Sequence, residues 1–201
     1  MLEKSAPPLE EGLLADAYLL SSVLFANPEA MERESTDARI DNLCNELELQ
    51  GRPDIAHHFG LFREELWDIS EDEYLFTLEM TPSSPPYLGS YGFDAPKSCS
   101  DIGANERNMY MIEVAAVYKH YGMEMEHGEM PDYFPAICEF LAISLVEEDL
   151  RARKLRKGFI ESLVLPFLSD FIRGLGKKPW AHIVTAVAEL IATEIEGGVE
   201  G

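Results

Sequence analysis

Basic residues are scarce in this sequence: 16 Lys and Arg stand against 37 Asp and Glu in 201 residues, a formal net charge of -21. The shortage is uneven. Residues 1–150 hold 8 bases against 31 acids (net -23), and residues 151–201 hold 8 against 6 (net +2). Such a field repels phosphate backbones and anionic headgroups and steers cationic partners, which excludes nucleic acid as the expected ligand. Solubility, or adaptation to a salty host, would give the same charge. Cysteine is also sparse. Cys44, Cys99 and Cys138 are far apart and odd in number, so neither a disulfide framework nor a zinc knuckle is expected, and a reduced cytoplasm is. Long apolar runs are missing, and Met1–Pro8 has neither the cationic region nor the apolar core of a secretory signal. The expectation is a protein that neither leaves the cytoplasm nor spans a membrane.

Catalytic signatures are missing too. Gly174-Leu-Gly-Lys-Lys178 lacks the first glycine and the hydroxyl residue of a phosphate-binding loop. No His-Glu-x-x-His occurs, and the adjacent His57 and His58 point about 100° apart around a helix. His120, His127, Glu129 and Asp132 are close enough in sequence to make a metal site conceivable, but His and Glu near a turn are ordinary surface residues. No metal, cofactor or catalytic residue is assigned.

What is present is helical periodicity. Apolar residues recur at helical spacing over Leu9–Phe25, Thr36–Leu49 and Pro53–Trp67, with a shorter helix expected over Glu71–Met80. Thr81–Ala104 breaks the rhythm with Pro82, Pro85, Pro86, Gly89, Gly92, Pro96 and Gly103, a loop long enough to bind something or to act as a hinge. Helix resumes over Asn105–Tyr121. In the Arg151–Lys157 cluster, Glu147 with Arg151 and Asp149 with Arg153 have the spacing of surface ion pairs. Phe159–Ile172 should be kinked at Pro166, and Pro179–Ile195 is the last helix. The reading is all-α: one single-domain helical bundle of about eight helices over residues 1–201, with a Pro/Gly-rich loop in the middle and a possible hinge at 81–104.

The run Glu129-Met-Pro-Asp-Tyr-Phe-Pro-Ala-Ile-Cys-Glu-Phe-Leu-Ala142 sets two carboxylates on one face of an apolar, central helix. Asp132 is a candidate N-cap for a helix starting at Tyr133, and Glu139 follows about two turns later, roughly 10 Å along. An acid in such surroundings needs a partner. Three readings follow from these residues. Asp132 caps and Glu139 bonds to the loop, through Tyr87 or Tyr91; or the two work as an acid/base pair in a carboxylate hydrolase; or they receive a guest. Carboxylates beside Tyr87, Tyr91 and Phe134 suit a peptide carrying both arginine and apolar side chains.

This segment resembles the Pro-Asp-His-x-x-x-x-x-Glu-Phe-Leu-Ala signature of the TorD/DmsD/NarJ family through Pro131, Asp132, Glu139, Phe140, Leu141 and Ala142, with Tyr133 in place of the usual His. Ser84-Pro-Pro-Tyr-Leu-Gly-Ser-Tyr91, Leu163-Val-Leu-Pro-Phe-Leu168 and Tyr18-Leu-Leu-Ser-Ser-Val-Leu-Phe25 are similar to further family segments, so the likeness spans about residues 13 to 195. The resemblance implies a cytoplasmic, non-enzymatic chaperone that matures a molybdopterin oxidoreductase. Its partner would be the catalytic subunit, held by an N-terminal leader, often of twin-arginine type, until cofactor insertion. On that reading Tyr87, Tyr91, Glu129, Asp132, Tyr133, Phe134 and Glu139 form the leader-binding site. The expected state is a monomer, with a domain-swapped dimer possible through the hinge. A helical adaptor for an unrelated peptide is the alternative.

Overall fold

In the computed structural model, residues 9–80, 82–93, 105–125, 128–146 and 149–197 are described. Among them the chain is all-α, with no named strand. Its helices are α1 (Glu11–Val23), α2 (Arg33–Leu49), α3 (Pro53–Leu66), the single turns α4 (Glu71–Tyr74) and α5 (Gly89–Gly92), α6 (Glu106–His120), α7 (Phe134–Ile143), α8 (Leu150–Phe159), α9 (Leu165–Leu175) and α10 (Trp180–Gly197). Eight of these have ten residues or more, in line with the periodicity. None is long and apolar enough to cross a membrane.

Local chemistry explains where the boundaries differ from expectation. Helix α2 starts at Arg33 rather than Thr36 because the Glu32 carboxylate accepts from the N–H groups of Glu34 and Ser35, a capping role glutamate seldom takes. The expected helix over Glu71–Met80 is one α-turn, capped by Ser70, followed by a π-turn over Leu75–Glu79. The kink expected at Pro166 is absorbed earlier. A π-turn at Ile160–Val164 ends α8 and lets Pro166 fall in the first turn of α9, where its missing N–H costs nothing. The Pro/Gly-rich loop contains α5, which the turn residues concealed; its part from 94 to 104 lies outside the described residues.

Helix α7 is the centre. Phe134, Ile137, Cys138, Phe140 and Leu141 are all fully buried. Phe134 meets Phe25 after α1 at 5.2 Å between ring centroids and Phe171 of α9 at 5.3 Å, while Phe140 meets Phe159 of α8 at 4.6 Å. Tilted and edge-on aromatic contacts of this kind add to the stabilisation from burial alone. Trp180 opens α10 fully buried, its indole N–H donating to the Leu24 carbonyl at 3.3 Å.

The Arg151–Lys157 cluster is not uniformly on the surface. Arg156 turns inward, only 5 % exposed, donating to both Glu194 carboxylate oxygens at 2.9 and 2.8 Å and to the Ser144 hydroxyl. Tyr18 of α1 donates to Glu194 as well, at 3.1 Å, so α1, α8 and α10 share one buried polar junction. Asp149 caps α8 through the Arg151 N–H, and Glu147 lies outside the described residues.

Candidate functional site: a tyrosine pair ringed by carboxylates

The approach to α7 and the loop before α5 are stitched together by backbone. The Leu88 N–H donates to the Asp132 carbonyl at 2.9 Å and the Phe134 N–H to the Pro86 carbonyl at 2.8 Å, forming an isolated antiparallel bridge between Tyr87 and Tyr133. The Ser84 hydroxyl donates to the Gly174 carbonyl and the Tyr118 hydroxyl to the Pro131 carbonyl, anchoring the two strips to α9 and α6. The bridge brings the Tyr87 and Tyr133 rings to 5.5 Å, both partly exposed.

Asp132 does not cap α7. Tyr133 is the N-cap residue and makes no side-chain cap bond. Instead Asp132, 0 % exposed, turns beneath the bridge, where its Oδ2 accepts from the Gly89 N–H at 3.1 Å and from Arg107 Nε and Nη2 at 3.3 and 3.0 Å. The charge pair with Arg107 offsets the cost of burying the carboxylate. Gly89 is required there, because a Cβ would lie 2.7 Å from Oδ2.

Glu139 is exposed rather than enclosed by the apolar face around it, and it accepts from the Ser22 hydroxyl of α1 at 3.2 Å, not from Tyr87 or Tyr91. Glu129 accepts from the Tyr87 hydroxyl at 3.4 Å and from the Met130 N–H at 3.1 Å. Tyr91 leans on Phe171 at 4.9 Å and donates to the Pro85 carbonyl at 2.9 Å, while Phe134 belongs wholly to the core.

One contributor was not foreseen. Glu79, at the end of the π-turn, accepts from the Tyr74 hydroxyl at 2.5 Å and adds its charge to the same place. Burial first, then Glu129, Tyr87, Glu79 and Glu139, push the Tyr133 phenol up to about 12. The Tyr87 phenol is raised by burial and then chiefly by Glu129. Three carboxylates from three segments therefore act on Tyr133, and one of them, Glu129, is hydrogen-bonded to Tyr87. Among the described residues their hydrogen-bond donors are hydroxyls and a backbone N–H, none of which neutralises a charge. The only signal for Glu79 in the sequence was its place just before the loop. Exposed Phe76, Met80 and Met130 are neighbours in sequence of Glu79 and Glu129.

No group of three or more His, Cys, Asp or Glu among the described residues is arranged to hold a metal ion. Of the conceivable quartet, His127 lies outside those residues, and Asp132 is committed to Arg107 and Gly89.

Residues 33–173 match the model of the family described as nitrate reductase delta subunit. The chain belongs to this family. The matched span runs from the start of α2 into α9 and takes in every residue of the tyrosine site except Ser22. The nitrate reductase delta subunit family is one of molybdoenzyme maturation chaperones rather than enzymes. A comparison with curated proteins finds no match.

Proposed function

We propose that this protein is a cytoplasmic, system-specific chaperone that grips the N-terminal leader of a molybdoenzyme catalytic subunit at the tyrosine face and holds the subunit for cofactor insertion. The observation that carries the reading is the set of carboxylates Glu79, Glu129 and Glu139, which have no cationic partner among the described residues and whose charges act on Tyr133 of the partly exposed Tyr87–Tyr133 pair. A guanidinium entering there would gain charge-assisted hydrogen bonds from the carboxylates and stacking on the phenol rings. Apolar side chains beside it in the leader would supply most of the affinity, and charge would supply rate and selectivity.

In this reading Glu129, Glu139, Tyr87 and Tyr133 touch the guest. Asp132, Phe134 and Tyr91 hold that surface from beneath. The chain acts as one helical domain, normally monomeric, with segment 81–104 as the hinge through which a swapped dimer would form. The test is calorimetry and stopped-flow binding of a synthetic leader from the molybdoenzyme of the native host, at low and high salt. Binding with an on-rate that falls as salt rises is expected. Failure of the leader to bind, with capture of an unrelated protein from the host, would replace this reading by that of a helical adaptor.

A further inference from the structure

A wide turn decides what Glu79 can reach. The α4 turn passes at Leu75 into the π-turn Leu75–Glu79, which the Met80 N–H closes by donating to the Leu75 carbonyl at 2.6 Å. In a regular α-helix Tyr74 and Glu79, five residues apart, would point about 140° away from each other. Bonding of the i→i+5 type widens the turn and lays two such side chains over one another. The Tyr74 hydroxyl accordingly donates to Glu79 Oε1 at 2.5 Å.

The two partners stand in different surroundings. Tyr74 is 5 % exposed, and its ring packs on fully buried Trp180 at 6.1 Å between centroids. The same turn is tied to the approach to α10 by Glu73, which accepts from Lys178 Nζ at 2.8 Å. Glu79 is exposed, and its second oxygen has no partner among the described residues. A carboxylate in water is thus held by a hydroxyl anchored in the core. The chain then doubles back on the turn. The Ser83 and Ser84 N–H groups donate to the Phe76 and Thr77 carbonyls at 3.1 and 3.2 Å, and three residues after Ser84 comes Tyr87, opposite Tyr133. Both phenols feel the Glu79 charge.

We propose that Tyr74 is a positioning residue, whose hydrogen bond presets Glu79 as a direct acceptor for a cationic side chain of the leader. The inference rests on the leader-binding reading above and adds Glu79 to the residues that touch the guest. A loose glutamate must be ordered when it takes a cation, and that ordering weakens binding; a carboxylate already held at one oxygen offers the other without it. The hydroxyl remains a donor, because burial first and then Glu79 raise its pKa.

The test is a double-mutant cycle on the full chain. The probe is a synthetic peptide with two arginines ahead of a leucine-rich stretch, and its citrulline counterpart is the uncharged control. Tyr74→Phe keeps the ring on Trp180 and loses only the hydroxyl, while Glu79→Gln keeps an oxygen for Tyr74 and loses the charge. Affinity is read per folded molecule. Tyr74→Phe is expected to weaken the arginine peptide roughly threefold to tenfold in the wild-type background. In the Glu79→Gln background it should change affinity by less than about twofold, and it should leave the citrulline peptide unchanged. Wild-type affinity of Tyr74→Phe for the arginine peptide would overturn the positioning role and leave the leader site standing. Equal losses in the two backgrounds, the mark of a merely structural tyrosine, would do the same. If the wild type binds the two peptides alike, or neither, the acidic-face reading itself falls and the role of Tyr74 falls with it.

Discussion

Asp132 and Glu129 are three residues apart on the same approach to α7, and they use their charge in opposite ways. Asp132 is sealed under the Tyr87–Tyr133 bridge and gives one oxygen to Arg107 and to the Gly89 N–H. Glu129, like Glu79 and Glu139, stays at the surface and, among the described residues, accepts only from neutral donors. Burial decides the difference. A carboxylate out of water needs a cation nearby, whereas one in water does not, and the second kind keeps its field for a guest. The inner acid holds the loop in place; the outer acids make the surface that the loop displays.

The sharpest way to break this comparison is to remove the inner cation. Arg107→Met leaves Asp132 buried and unpaired and should lower stability by about 3 kcal/mol in urea unfolding, with peptide affinity per folded molecule preserved. Asp132→Asn should cost less, about 1–2 kcal/mol, because an amide oxygen can still accept from Gly89. A loss of affinity in the folded Asp132→Asn protein larger than its loss of stability would show that the inner acid meets the leader after all.

The converse change is at the rim. Glu129→Gln should weaken a basic leader by about 1–2 kcal/mol and flatten the salt dependence of its on-rate, while stability moves by less than about 0.5 kcal/mol. Titration gives a weaker contrast. Because the folded Tyr133 phenol is raised to about 12, its contribution to stability is complete below the unfolded value near 10 and is lost as pH rises toward 12. Tyr133→Phe should therefore flatten the alkaline limb of a melting-temperature profile. The smallest effect lies far from the site. Burial lowers the His182 pKa, so the folded state holds fewer protons there than the unfolded one, and stability falls as pH drops below about 6.5. A thermal-melt series of His182→Gln should show a shallower acid limb than wild type.

The helices were legible because burial imposes a period on their residues. Pro53 at the start of α3, the apolar α7 and the terminal α10 all follow from that rule and from ordinary stop signals. What the sequence concealed were partnerships across distance. Nothing near Asp132 announces Arg107, twenty-five positions upstream on another helix, and nothing in the basic cluster marks Arg156 as the member that pairs with Glu194. Asp before a Pro-containing helix looks like a cap, and the deeper role emerges only when Gly89 brings a backbone N–H against it. Glu79 escaped for the same reason: its relation to Tyr133 passes through the folded loop. The family, by contrast, was carried by local runs such as Pro131–Asp132 and Glu139–Ala142, which survive without knowledge of the fold.

The wide turn at Ile160–Val164 sets a rotational phase. Helical residues upstream of it, Arg156 and Phe159, serve α10 and α7, whereas Phe167 and Phe171 downstream form the shelf on which Phe93 and Tyr91 rest. Its Leu163 carbonyl is taken by the Tyr110 hydroxyl at 2.9 Å. Winding the same residues as regular α-helix would advance α9 by about 1.5 Å and swing that shelf by roughly 100°; the wide turn absorbs the extra residue locally. The two aromatics would then leave the loop, so the placing of the tyrosine face depends on one extra residue in a turn remote from it.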